Sequence, residues 1–167
     1  MRRIRDYFSS QHAHTEDGGQ QTIHNVQLAP AAHAFFTQLP QQDQGGLLFG
    51  RPMSDGALKV SFAAHGAIEP WCIAQHPLSF DPAYVLAWDD AVKCLCPSVG
   101  WVGVWLSMSA TSSTEEILRQ VVAAHTQGLV NQVSPLLFVQ SRVYRAFHWH
   151  GSPHEIPVSV VPVVPHR

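Results

Sequence analysis

Prolines at positions 30, 40, 82 and 97 divide this chain more firmly than any other feature, because a helix can begin at a proline but cannot run through one undisturbed. From Pro30 to Pro40 the residues Ala32, Phe35, Phe36 and Leu39 share one helical face with Leu28 before it, which predicts a short helix that Pro40 closes. The stretch "DPAYVLAWDDAVKCLC" offers Asp81 as an N-cap and Pro82 at the first helical position. Its apolar stripe is Val85, Trp88, Val92 and Leu95, and Pro97 stops it. A third helix is expected over "STEEILRQVVAAHTQG", where Ser113 and Glu116 have capping-box spacing and Gly128 supplies the C-cap.

Between these helices lie short strands. "TIHNVQL" at 22–28 reads as one, and "GGLLFG" at 45–50 as a buried one. The "SDG" turn at 54–56 then returns the chain along "ALKVSFAA", which makes a hairpin. "SVGWVGVWL" is a further strand, and "SPLLFVQ", "VYRAFHWH" and "IPVSVVPVV" close the chain as three more. Prolines 157, 162 and 165 place the last of these at a sheet edge. Residues 1–20 are polar and read as a flexible lead-in, which leaves 21–167 as a single domain. The expected class is α/β, with a mixed, largely antiparallel sheet and about three helices.

Charge narrows the function. A net charge of −2 lacks the basic footprint of a nucleic-acid binder. No apolar run reaches the roughly 18 residues of a membrane span, and the N-terminus has no signal-peptide core, so a cytoplasmic protein is expected. Three cysteines, at 72, 94 and 96, fit reduced thiols better than a disulfide framework. Charged residues make up only 13% of the chain, which fits either a partner interface or a surface built from Gln, Ser and His.

The stretch 98–116, "SVGWVGVWLSMSATSSTEE", joins a Gly- and Trp-rich strand to a hydroxyl-rich loop and two carboxylates. With "GLLFG" before it and the order of elements around it, the chain resembles the JAB/MPN superfamily, whose metalloprotease members carry the JAMM motif. The resemblance runs from about Thr22 to Val164 and implies an MPN-like, cytidine-deaminase-like curved sheet. The family motif is a glutamate before the G-x-L-x-G strand, then His-x-His, seven residues, Ser, two residues and Asp. On this chain the glutamate falls on Asp43, the histidines on Gly103 and Trp105, the serine on Ser113 and the aspartate on Glu116. Glycine has no ligand atom and the indole N–H is a donor only, so Glu116 alone would face the zinc. The resemblance thus implies a catalytically inactive relative, without cofactor, that binds protein. Its partner would be another MPN domain, a ubiquitin-like protein or an assembly subunit, in a bacterial ubiquitin-like or multi-protein system, with a homodimer as one arrangement.

The residues also admit other readings. Ser113 and Glu116 can be a helix cap, Asp43 a solvated turn residue, and Trp105 either core or a plug in the old metal cavity. Strict alternation puts Trp101, Gly103 and Trp105 on one strand face, lining the former cleft, and the valines on the other. His148, His150 and His154 in "FHWHGSPHE" could form a relocated zinc or nickel site, as a metal-dependent isopeptidase or hydrolase would need, or be exposed strand positions. Tyr144, Phe147 and Trp149 form an apolar edge that could receive a partner strand or wall the core. An unrelated small binding module is the remaining alternative.

Overall fold

The two-glycine run and the alternating segment after it form the expected hairpin. Strands β2 (Gln44–Pro52) and β3 (Ala57–His65) pair antiparallel, and Asp55 Oδ1 accepts the Ala57 N–H at 3.0 Å to tighten the turn. The computed structural model describes residues 22–40, 44–66, 78 and 80–162. The lead-in at 1–20, Asp43 and Cys72 lie outside them.

Around the hairpin stand β1 (Asn25–Leu28), β4 (Gly100–Ser107), β5 (Leu136–Gln140), β6 (Val143–Trp149), β7 (Pro153–Ile156) and β8 (Val158–Val160). The three helices are α1 (Pro30–Thr37), α2 (Pro82–Leu95) and α3 (Thr114–Thr126). Their starts are those the sequence marks. Pro30 opens α1, Asp81 Oδ1 accepts the Ala83 N–H at 2.8 Å, and Ser113 Oγ accepts the Glu116 N–H at 3.2 Å.

The strands form one sheet in the order β7-β6-β5-β4-β2-β3-β1-β8. The pairs β2–β3, β2–β4, β5–β6 and β6–β7 are antiparallel, whereas β1–β3, β1–β8 and β4–β5 are parallel. The sheet is therefore more evenly mixed than the expected, largely antiparallel one. The last strand expected from "IPVSVVPVV" is β8, and β7, just before it, is a strand that the sequence reading did not anticipate. Pro157 alone separates β7 from β8, yet these strands occupy opposite ends of the order. A two-residue step spans at most about 7 Å, so the sheet must curl until its edges nearly meet. The Pro157 carbonyl also accepts the Val26 N–H at 2.9 Å, extending the β1–β8 pairing.

Both faces of the sheet are core. On one side α1 packs Ala32 and Phe36 against Val26, Leu58, Val60, Trp105 and Leu137. On the other, α2 and α3 bring Val85, Val92, Ile117 and Val121 onto Leu47, Phe49, Trp101 and Val104. Fully burying one such aliphatic or aromatic side chain contributes about 1.5–3 kcal/mol.

The α2 stripe departs from expectation. Its buried line is Val85, Asp89 and Val92, while Trp88 is 37% exposed and Leu95 84% exposed. Asp89 is wholly buried because it has work inside. Its carboxylate accepts the Trp101 backbone N–H at 2.9 Å and pairs with Lys93 at 2.6 Å.

Candidate functional site

Strand β4 carries the positions that the sequence singles out. Leu48 pairs with Gly103 and Phe49 with Trp101, which leaves Val102 as an extra residue in β4. This bulge reverses the alternation. Trp101 joins Val104 and Leu106 on the α2–α3 side, whereas Val102 and Trp105 face the α1 side. The expected tryptophan face lining a cleft is therefore not formed, and both indoles are buried.

Trp105 is 0% exposed. Its Nε1–H donates to the Ala64 carbonyl at 2.9 Å, and Phe35, Phe36 and His65 surround its ring. Gly46 makes room for it, since a Cβ there would lie 2.5 Å from Nε1. Gly103 is shaped by packing too, because a Cβ at that position would meet the Pro135 carbonyl oxygen at 2.5 Å. Ser113 caps α3, and Glu116 follows on its first turn.

The other candidates are also placed. Phe147 is buried on the α2–α3 side. Trp149 stacks on His125 with centroids 4.0 Å apart. Tyr144 turns to the α1 side, where its hydroxyl lies 2.8 Å from His33 Nδ1. Burial raises the Tyr144 pKa, and Arg142 opposes that shift. These three residues thus divide between two core faces of a strand paired on both sides, and they form no apolar edge.

His148 and His154 are cross-strand partners with ring centroids 5.8 Å apart, and His150 lies 6.4 Å from His154. Burial lowers the His148 pKa; the Gln132 carbonyl opposes this, while His154, His150 and His24 add to it. Among the described residues no group of three or more His, Cys, Asp or Glu is arranged to hold a metal ion. The three histidines lie close together where β6 turns into β7.

Two cavities flank the loop that leaves β4. The larger, about 500 Å³, is bordered by Thr37, Ser107, Ser109, Val139, Ser141 and Arg142. The smaller, about 270 Å³, lies on the α3 side, with Ser107, Ser112, Glu116 and Gln120 on its wall. The sequence reading missed Ser107, Ser141 and Arg142. The available signal was "QSRV": two strands separated by two residues, neither of them Gly or Asn.

No protein-family model matches the sequence, and no curated protein matches it either. Among the described residues no helix is long and apolar enough to cross a membrane.

Proposed function

We propose that this α/β chain is an MPN-like domain without the family's hydrolytic chemistry, acting by binding protein as a scaffold subunit. The observation that carries the reading is the fate of the two positions aligned with the metal-binding histidines. At one, Gly103 lies against Pro135 with no room for a side chain. At the other, Trp105 is buried with its only polar atom committed to Ala64. Neither position can offer a nitrogen lone pair to zinc. Binding then falls to the surface around the β4–α3 loop, where the two cavities open. The partner is another MPN domain, a second copy of this chain included, a ubiquitin-like protein or an assembly subunit.

The test incubates the purified chain with isopeptide-linked diubiquitin and added zinc, and follows both cleavage and co-elution. The reading expects no cleavage. Cleavage that a chelator abolishes would overturn it, and co-elution without cleavage would identify the ubiquitin-like partner class.

A further inference from the structure

Strands β4 and β5 run parallel side by side, with α3 as their crossover, and Ser107 sits beside Val139 where both end. The 500 Å³ cavity lies there, and three of its features point to one ligand chemistry.

Ser107 is only 8% exposed and lies on the cavity wall, so its hydroxyl can face a bound group there. Arg142 provides the cation. Arg145, three residues on, is gripped by both Glu155 carboxylate oxygens at 2.8 Å, but among the described residues no carboxylate pairs with Arg142. No acidic side chain lies among the described residues on the cavity wall.

The turn adds a third argument. Ser141 and Arg142 form the two-residue connection of the β5–β6 hairpin with φ values of 45° and 72°. Turns of this shape favour Asn and Gly, and side chains held there are strained. This turn keeps an arginine on the cavity rim in spite of that strain.

We infer that the cavity binds a small organic anion, with its carboxylate or phosphate group held by Arg142 and Ser107 and its apolar body against Phe36 and Met108. The inference does not depend on the MPN-like reading. The room exceeds that of a bare inorganic anion, and the apolar wall supplies the remaining contact.

The test is an NMR titration of the ¹⁵N-labelled full chain with phenyl phosphate and with benzoate, with neutral benzamide as control. Saturable shifts are expected at the Ser107, Ser109, Ser141 and Arg142 amides. Binding of phenyl phosphate alone assigns the phosphate group, benzoate alone the carboxylate, and both the shared chemistry. Arg142→Gln should weaken binding about tenfold or more, as loss of a charge-assisted contact does. The pair Ser141→Asn, Arg142→Gly should raise the unfolding midpoint while losing binding, which a purely structural turn would not do. Absence of saturable shifts with either anion overturns the inference. So do equal shifts with benzamide, or unchanged affinity in Arg142→Gln.

Discussion

Phe35 and Phe36 meet the Trp105 indole edge-on, each with its centroid 5.6 Å away, and Ala64 takes its N–H. The presence of an aromatic here was legible in "VGVWL", but its face was not. That face depends on the bulge at Val102, which arises from pairing with β2 rather than from any local pattern. Gly103 was equally ambiguous, because only the approach of Pro135, far along the chain, explains it. His148 supplies the prediction at this scale. Burial and neighbouring imidazoles hold its folded-state pKa below the ordinary value of about 6.5. Above that pH the group is neutral in both states, and its contribution is fully present. As pH falls below about 6.5 the unfolded chain takes up the proton first, and stability is lost. Urea unfolding midpoints should therefore fall between about pH 7 and pH 5. The fall should be shallower in His148→Gln; an unchanged slope would remove His148 as its source.

Helix starts were readable because capping is local: Asp81 and Ser113 each accept an N–H within their own first turn. The burial stripe of α2 was not. A pattern search passes over a buried carboxylate, and Asp89 belongs inside because Trp101, on the neighbouring strand, presents an N–H to it. Removing that acceptor leaves a buried donor without this partner, at a cost of about 1–3 kcal/mol. Asp89→Ala should lower stability by that amount in denaturant unfolding, with the larger loss in near-UV signal from Trp101. No change in stability would mean that the carboxylate is not the N–H's principal partner. The hairpin β2–β3 was legible from period-two alternation and its turn, whereas the parallel pairs β1–β3 and β4–β5 were not, since they join segments distant in sequence.

For the whole molecule, Pro157 joins β7 to β8, which stand at opposite ends of the sheet order. The prolines marked an edge correctly. That the chain visits both edges follows from curvature, which no short window records. Helices on both faces explain why residues proposed from sequence as a binding surface, Trp101, Trp105 and Phe147, are buried. The β4–α3 loop and the β5–β6 turn, whose side chains are ordinary in sequence, gain meaning from the cavity they share. The central claim is that the positions aligned with a zinc site now serve packing. Zinc content, measured by elemental analysis after dialysis against a weak chelator with the His148→Ala, His150→Ala, His154→Ala variant alongside, tests it most directly. The account expects no stoichiometric zinc in either protein. One zinc per chain retained in the variant would contradict it, whereas zinc lost in the variant would place the metal at His148, His150 and His154.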